Sequence, residues 1–480
     1  MMLTLKNKSP VSPQHLLPAI FLGRCLVCGQ TQNQFDSSPE NRLCRRCEVA
    51  RDWPVAEHAK LVTMLPDWSL PPPIEHLPKL TSHSQFDLFA RWIGPTEETG
   101  LVKNHKPNDL AAIKKFLPYE SDYLRDECHA TCGHPVVYRS RRLENWLLTS
   151  NEMFVLDMST LGHSRTHKDL RSWAIVNTAV ANQIRHLAVW TAGNAGLSLG
   201  LIAGRANLAL DNDHQIRIHA LFDPGDTSVD QHVEHELVRA GCTVNKVPST
   251  SKVIFPPDKI QQSVKNRALG WHDWDPNAYW DVTDGWEGVG FILFRLIAAQ
   301  VIRDLKPTQI VLPLGTGNLT LAFLQGMRDC ENAGAIAPQS VRLIGATPLG
   351  DNIVRCISRR KEMPPLYAMQ PSKGSLPTMP KIATTYTPLL AVIDHELQRG
   401  TLDWIEVNAN DQNQAAEALN RPAASREIQS EPSALAGFAA LPRVIRPLSE
   451  RDHHRILVVN TGNGLLSSRE HAYLAKHRIT

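Results

Sequence analysis

Short apolar runs alternate with longer helix-like stretches through most of the chain from about residue 133. The apolar runs have the length of buried strands, and the stretches between them have the length of helices. The runs lie at 153–157, 186–190, 216–221 and 309–313, and the helix-like stretches at 168–183, 196–207, 229–240, 288–303 and 318–330. Because parallel strands need a crossover connection, usually a helix, this order predicts an α/β fold with mostly parallel sheets.

Two glycine–asparagine turns each follow a predicted strand and precede a predicted helix. They read Thr191-Ala-Gly-Asn-Ala-Gly196 and Pro313-Leu-Gly-Thr-Gly-Asn318. Open α/β sheets bind ligands at the carboxyl ends of their strands. A glycine-rich turn there can hold a phosphate through backbone N–H groups and the dipole of the following helix. Both turns are therefore candidate ligand-binding segments.

A lysine lies upstream of both turns, in Ser164-Arg-Thr-His-Lys-Asp169. The amine of Lys168 can form a Schiff base with an aldehyde. Together with a phosphate-binding turn, it predicts an enzyme that uses pyridoxal 5′-phosphate (PLP). Taken singly, Lys168 also fits a surface lysine on a helix, Asn194 a helix cap, and 315–318 a plain β–α turn.

The composition excludes little beyond strongly charged partners. With 480 residues the chain can bury a large core and form two or three domains. The formal net charge of +3 gives no electrostatic reason to expect nucleic acid or an anionic membrane as a partner. No apolar run is long enough to span a bilayer, and no signal-peptide pattern is evident, so a cytoplasmic location is the expectation.

Four of the nine cysteines form two closely spaced pairs. Cys25 and Cys28 are followed, after 15 residues, by Cys44 and Cys47. This is the spacing of a zinc ribbon, in which each pair presents two thiolates from one tight turn. We expect a structural Zn²⁺ with no open position for catalysis. The alternative is four free thiols.

The sequence divides into three regions. The zinc-ribbon module is predicted at 21–50, and an adaptor segment of unassigned role at 51–132, with one short helix near 108–116. The catalytic region is predicted at 133–480. No repeat of 20–50 residues stands out, which excludes solenoids and propellers.

Taken together, the motifs resemble the fold-type II PLP enzymes, the tryptophan synthase β-like group, and among these the threonine synthases. The resemblance covers about 133–466, and some threonine synthases also carry an N-terminal zinc ribbon. Besides the lysine segment and the two turns, the matching segments are Cys132-Gly-His-Pro135 with Arg141-Arg-Leu143, Glu431-Pro-Ser-Ala434 and Val459-Asn-Thr-Gly-Asn-Gly464. The resemblance implies two α/β lobes with PLP between them, the smaller lobe at about 180–290. It also makes a homodimer the expectation.

The resemblance also assigns roles residue by residue. Lys168 becomes the Schiff-base lysine and proton shuttle, and Asn194 faces the hydroxyl of the cofactor ring. Thr461 faces the pyridine nitrogen, where a neutral hydroxyl favours elimination and replacement over transamination. The substrate carboxylate is assigned to Thr191, Ala192 and Ala195, and the cofactor phosphate to Gly315, Thr316, Gly317 and Asn318.

The chain departs from the family pattern at several points. His167 replaces the aromatic residue before the lysine, and Leu170 replaces an arginine. Thr316 interrupts the glycine-rich phosphate loop, and the opening turn is Cys-Gly-His-Pro rather than Gly-Gly-Thr-Pro. His167 is either a second acid–base group or a histidine that packs and hydrogen-bonds.

The resemblance implies a lyase that acts on an amino acid by β- or γ-elimination or replacement. Its specific version is the threonine synthase-like conversion of O-phosphohomoserine to threonine. The alternatives are β-replacement, as in cysteine or cysteate synthesis, and racemisation or deamination of serine or threonine. A non-enzyme alternative is a regulatory or binding protein that keeps the PLP fold and is recruited through the zinc ribbon.

Overall fold

The computed structural model describes most of the chain between residues 135 and 463. The gaps within this range are 160–163, 182–184, 192, 208–209, 211, 223–230, 247–278, 283–288, 351, 359–378, 380–381, 383–389, 421–427, 429 and 449–452. The predicted zinc ribbon with Cys25, Cys28, Cys44 and Cys47 lies outside the described residues. So do the adaptor segment with its predicted helix and the Cys-Gly-His part of the opening turn. Those expectations stay predictions.

The larger sheet has six strands in the order β1-β2-β10-β7-β8-β9. All neighbouring pairs are parallel except β1 and β2. Its strands are β1 Val136–Arg139, β2 Glu152–Asp157, β7 Gln309–Pro313, β8 Arg342–Pro348, β9 Leu402–Val407 and β10 Arg455–Asn460. β7 is buried at every position, as expected for an interior parallel strand covered on both faces.

The smaller sheet has four parallel strands in the order β5-β4-β3-β6. They are β3 His186–Trp190, β4 Arg217–Phe222, β5 Thr243–Lys246 and β6 Tyr279–Asp281. All four lie inside the range expected for the smaller lobe. The predicted α/β fold with mostly parallel sheets is confirmed, whereas the division of the chain into domains stays a prediction.

Helices connect the strands in the order that the sequence predicts. They are α1 Arg141–Trp146, α2 Lys168–Ala181, α3 Asn194–Asn207, α4 Gln231–Arg239, α5 Val289–Leu305, α6 Asn318–Asn332, α7 Ile353–Ser358, α8 Leu390–Gln398, α9 Ala409–Asn420 and α10 Leu435–Ile445. The two faces of the larger sheet bury separate apolar clusters. One contains Leu312 and Leu457 with residues of α5 and α6, and the other contains Val311 and Val458 with residues of α10.

The register of the larger sheet brings the carboxyl ends of three strands together. Val458 on β10 is paired with Val155 on β2 and with Val311 on β7. At the end of β10 the Asn460 side-chain amide donates to an oxygen of Asp157, at 3.0 Å. The chain segments that leave these strands therefore start side by side, at the edge where α/β proteins bind ligands.

Hydropathy gives no sign of a bilayer-spanning segment in the part of the chain that the structure describes, since none of its helices is both long and apolar enough.

Candidate active site

Lys168 is the first residue of α2, and the segment before it pairs with the segment after β10. Thr166 and Gly462 form an isolated antiparallel bridge. The His167 N–H donates to the Thr461 carbonyl, at 2.9 Å. The Lys168 N–H donates to the Thr166 hydroxyl, at 3.2 Å, which caps the start of the helix. The position of Lys168 is therefore fixed by a loop almost 300 residues away in sequence.

Gly462 permits this close approach because it has no side chain. A Cβ at this position would lie 2.7 Å from both the carbonyl oxygen of Arg165 and the Cα of Thr166. Its φ of +154° is also one that residues with side chains rarely adopt. The Asn463 N–H then donates to the same Arg165 carbonyl, at 2.9 Å. Glycine at 462 is thus required by backbone packing, whereas Thr461 and Asn463 contribute backbone atoms to these contacts.

Asp169 is fully buried and joins the lysine segment to α3. Its carboxylate accepts the Ser164 hydroxyl at 2.5 Å and the Ser164 N–H at 3.1 Å. It also accepts the Ser198 hydroxyl, from the second turn of α3, at 2.6 Å. A buried carboxylate needs several donors to offset its lost hydration. The family's Lys-Asp pair therefore has a structural explanation here, which sequence reasoning missed.

The amine of Lys168 is poised to exchange a proton near neutral pH. Its pKa is lowered from 10.5 to about 7, first by desolvation and then by the nearby positive charge of Arg171. The carboxylate of Glu431 acts in the opposite direction and raises this pKa. The side chain of Lys168 keeps part of its surface exposed, so it is open to a reactant. Such a lysine can serve as a nucleophile and as a base.

His167 does not have the properties of an acid–base group at neutral pH. Burial, together with the charges of Lys168 and Arg171, lowers its pKa from 6.5 to about 3. Its Nδ1 lies 3.0 Å from the Thr461 carbonyl, and because a carbonyl only accepts, Nδ1 carries the proton. The ring packs against Phe294, with centroids 5.7 Å apart. Packing and hydrogen bonding, the second of the two alternatives, is what the structure favours.

The first glycine–asparagine turn links β3 to α3. The Thr191 hydroxyl accepts the N–H groups of Gly193 and Gly196, both at 3.0 Å. These bonds use its two lone pairs, and its hydrogen has no acceptor among the described residues. Thr191 can therefore still donate one hydrogen bond. Ala195 lies in the first turn of α3, and Ala192 is outside the described residues.

Asn194, at the start of α3, contacts Glu431 across the site. Its side-chain nitrogen lies 3.0 and 3.1 Å from the two carboxylate oxygens. Glu431 is buried, and its N–H donates to the Gly462 carbonyl at 3.0 Å. Glu431 belongs to the Glu-Pro-Ser-Ala segment that carried part of the resemblance, but nothing in the sequence paired it with Asn194.

The second glycine–asparagine turn lies between β7 and α6. Gly317 is the N-cap of α6, with φ +89°, and it has no side chain that could cap the N–H groups of the first helical turn. Gly315 is buried, and a Cβ there would lie 3.2 Å from the Cα of Ile382. Thr316 is exposed, and Asn318 is partly exposed. The uncapped N-terminus fits the anion-binding role predicted for these residues.

Thr461 follows β10 directly and is buried. Its carbonyl accepts both hydrogen bonds from His167. Its hydroxyl has no hydrogen-bond partner within the described part of the chain. A hydroxyl without a partner can still donate and accept, so it can meet a polar atom of a ligand.

The donor set fits PLP. The site combines a lysine amine with a pKa of about 7, an uncapped helix N-terminus, a threonine hydroxyl without a described partner and a fixed side-chain amide. Hydrogen bonds bring three of the predicted residues together. His167, next to Lys168, is bonded to Thr461, and Glu431 is bonded to both Gly462 and Asn194. The 315–318 turn follows β7, the strand that pairs with β10. The individual roles of these residues stay predictions.

Comparison with known proteins gives the same class. The chain matches the family model for pyridoxal-phosphate dependent enzymes over residues 138–462. This match covers more than half of the chain, and the chain therefore belongs to the pyridoxal-phosphate dependent enzyme family. A search of curated proteins finds no match.

Solved structures of similar fold include two racemases and a lyase. A PLP-dependent aspartate racemase has a TM-score of 0.50 at 12% identity, covering 69% of this chain and 90% of its own. Maize serine racemase has a TM-score of 0.51 at 13% identity, covering 76% and 95%. Diaminopropionate ammonia lyase from Escherichia coli has a TM-score of 0.51 at 15% identity, covering 71% and 86%. At these identities the likeness establishes the fold alone.

Proposed function

We propose that this protein is a PLP-dependent lyase that acts on an amino acid by β- or γ-elimination or replacement. The specific version is the threonine synthase-like conversion of O-phosphohomoserine to threonine. The proposal includes a cytoplasmic location, a homodimer and a structural Zn²⁺ at the four N-terminal cysteines. The observation that carries it is the desolvated amine of Lys168, beside the ring-binding candidates Asn194 and Thr461.

Lys168 is the residue that removes and returns the α-proton of the substrate. With a pKa of about 7, a large fraction of the amine is unprotonated at neutral pH and can accept a proton. Below that pH the amine becomes an ammonium and the base is lost. The rate should therefore rise with pH through about 7.

The Thr191–Ala195 turn binds the carboxylate of the substrate. The Thr191 hydroxyl keeps one hydrogen to donate after it has accepted the N–H groups of Gly193 and Gly196. The start of α3 adds the positive end of its dipole. A carboxylate held there would place the α-carbon of an amino acid toward the site of Lys168.

The cofactor, when bound, supplies an electron-accepting ring that stabilises the negative charge left on the α-carbon. The neutral Thr461 hydroxyl next to the ring nitrogen is the protein's contribution to limiting that acceptor strength. It supports elimination or replacement in preference to transamination.

Arg165 supports the version with an anionic leaving group. Its side chain is exposed, and it has no ion-pair partner among the described residues. It lies three residues before Lys168, and its φ of +54° is left-handed. A residue with a side chain in such a backbone conformation suits a functional use, and a guanidinium matches a phosphate well.

The names of the similar structures add candidate reactions to the test. Serine, aspartate and diaminopropionate belong in the substrate panel for that reason. β-Replacement and the deamination of serine or threonine remain the alternatives within the class. A binding protein without turnover is the alternative outside it.

The decisive experiment is an absorbance scan of the purified protein with PLP and a panel of amino acids that includes O-phosphohomoserine. The wild type should show a visible cofactor band that shifts with one substrate, with product formed. Lys168→Ala should lose turnover by at least about 10³-fold. The control is Lys306→Ala, an exposed lysine after α5, which should behave as the wild type.

Each outcome of this experiment distinguishes between the proposed reaction and one of its alternatives. Release of phosphate with threonine supports the threonine synthase-like version. Release of ammonia from serine or threonine replaces it with deamination. A band that no amino acid perturbs contradicts catalysis and favours the binding protein. No band after PLP has been added contradicts the whole proposal.

A further inference from the structure

Glu431 is an acidic residue that contacts both the turn after β3 and the loop after β10. Its carboxylate contacts the Asn194 amide at 3.0 and 3.1 Å, and its N–H donates to the Gly462 carbonyl at 3.0 Å. Its own carbonyl accepts the N–H groups of Ala434 and Leu435, at 2.9 and 3.0 Å, where α10 begins. Backbone hydrogen bonds on both sides thus fix where this carboxylate lies.

The contact fixes the orientation of the Asn194 side chain. An ionised carboxylate only accepts hydrogen bonds, so the group that faces Glu431 must be the NH₂ of the amide. The amide oxygen is then directed away from Glu431. Without a charged acceptor beside it, the amide could turn over, because its two ends have nearly the same shape.

The same carboxylate lies within a compact group of buried charges. Lys168 and Arg171 are the positive members, three residues apart on α2. Asp169 is the other negative member, and its oxygens already accept three hydrogen bonds from serines. Glu431 is therefore the carboxylate whose charge acts directly on Lys168.

We propose that Glu431 is a positioning residue for the Lys168 reaction, which holds the Asn194 amide with its oxygen toward the cofactor ring and offsets positive charge at the Lys168 nitrogen. This inference rests on the proposed function, because it assumes that Lys168 is the reacting lysine. Asn194 then offers an acceptor to the ring hydroxyl, which favours that hydroxyl in its protonated form.

The test is a pH titration of the visible cofactor band in the full-length, PLP-bound protein, with no substrate added. In Glu431→Gln the midpoint should fall by about 1 pH unit, because a nearby negative charge that favours the protonated forms is lost. Glu431→Asp keeps the charge, so its midpoint should lie closer to that of the wild type. A residue that only supported the fold would not move the midpoint.

A matched control removes a buried carboxylate elsewhere. Glu396 on α8 is fully buried and forms an ion pair with Arg328. Glu396→Gln should lower the thermal midpoint of unfolding but leave the midpoint of the cofactor titration unchanged. If it moves the titration as much as Glu431→Gln does, the specific role of Glu431 is contradicted.

A double-mutant cycle tests whether Glu431 acts through Asn194. Asn194→Ala and Glu431→Gln should each weaken PLP binding by about tenfold, which corresponds to the loss of about one hydrogen bond. The double variant should bind no more weakly than the weaker single variant, because the two residues act as one unit. Additive losses would overturn the proposal.

The outcomes separate this inference from the proposed function. A protein without any cofactor band contradicts the proposed function. A normal band with the same titration midpoint in Glu431→Gln and the wild type overturns only the role of Glu431. If Glu431→Gln does not fold, Asn194→Ala should still shift the band, and an unchanged spectrum there overturns the proposal as well.

Discussion

The two sheets reach the candidate site in different ways. Segments that leave the larger sheet are joined by backbone hydrogen bonds: His167 to Thr461, Asn463 to Arg165, and Glu431 to Gly462. The turn from the smaller sheet is joined to them through side chains. Among described residues, these contacts are Asn194 with Glu431 and Ser198 with Asp169.

The lysine segment and the candidate carboxylate turn are therefore held in place by different kinds of contact. Lys168 and Thr461 lie on segments joined by backbone hydrogen bonds, which most side-chain changes leave intact. The candidate carboxylate turn depends on a few polar side chains for its place. Substitutions at the junction should therefore affect substrate binding more than these backbone hydrogen bonds.

The strongest test of the comparison is Asp169→Asn, at the junction of the two regions. An amide cannot accept all three hydrogen bonds that the carboxylate accepts, so we expect a loss of about 3 kcal/mol in the free energy of unfolding. Urea unfolding followed by circular dichroism measures it. Asp394→Asn is the control, because Asp394 is also buried but its carboxylate accepts from Gln398 on the same helix. Equal losses in stability and in substrate affinity for the two variants would contradict a junction at Asp169.

A second test addresses the smaller sheet alone, through a pair of histidines on β3 and β4. His186 Nδ1 lies 3.0 Å from His219 Nε2, and the rings stack with centroids 5.3 Å apart. Burial lowers the pKa of His219 from 6.5 to about 4, aided by the charges of His186 and Arg217. Burial also lowers the pKa of His186, as do Arg217 and Arg185.

The sign of the pH effect follows from these directions. Between pH 6.5 and 4 the unfolded chain binds a proton at His219 that the folded chain does not. Stability therefore falls as the pH drops through this window, by about 2 kcal/mol from this residue. In His219→Gln, urea unfolding at pH 6.5 and 4.5 should show a smaller loss than in the wild type. An equal loss in both proteins would show that this pair is not the acid-sensitive part of the smaller sheet.

The smallest expected effect is a gain in stability on replacing Arg165, which lies in the loop before Lys168. Arg165→Gly relieves a left-handed conformation that glycine adopts without cost, and should stabilise the fold by about 0.5–1 kcal/mol. Under the proposed function it should also raise KM for a phosphorylated substrate but not for serine.

The matched control for this change is Gln339→Gly. Gln339 has a φ of +58° and is exposed, and it lies after α6, where its N–H donates to Glu331. It should gain a similar stability with no change in KM for either substrate. If Arg165→Gly also leaves both KM values unchanged, the anion-binding use of Arg165 is wrong.

Local sequence patterns were sufficient to predict many of the strands and helices. The runs predicted at 186–190 and 309–313 are strands with those same limits. The helix predicted at 318–330 begins at the same residue and ends two residues later, at Asn332. These elements follow from apolar runs, turns and caps, which depend on near neighbours in sequence. The motif order also indicated which segments lie after a strand.

The contacts between distant segments could not be predicted in this way. Asn194 and Glu431 are 237 residues apart, and their pairing depends on how α3 and the segment before α10 are placed by the two sheets. The Asp169 network and the burial of His167 have the same origin. A single sequence specifies which groups need partners, but the topology decides which partners they find.

The place of β10 has a consequence for the order of events during synthesis. It is the last described strand in the sequence, yet it lies between β2 and β7 in the larger sheet. Until the ribosome has released residues 455–463, β2 and β7 each have an open edge, and residues 165–167 lack the loop that fixes them. A nascent chain can thus complete its smaller sheet early, but it acquires a defined lysine site only after residues 455–463 have been synthesised.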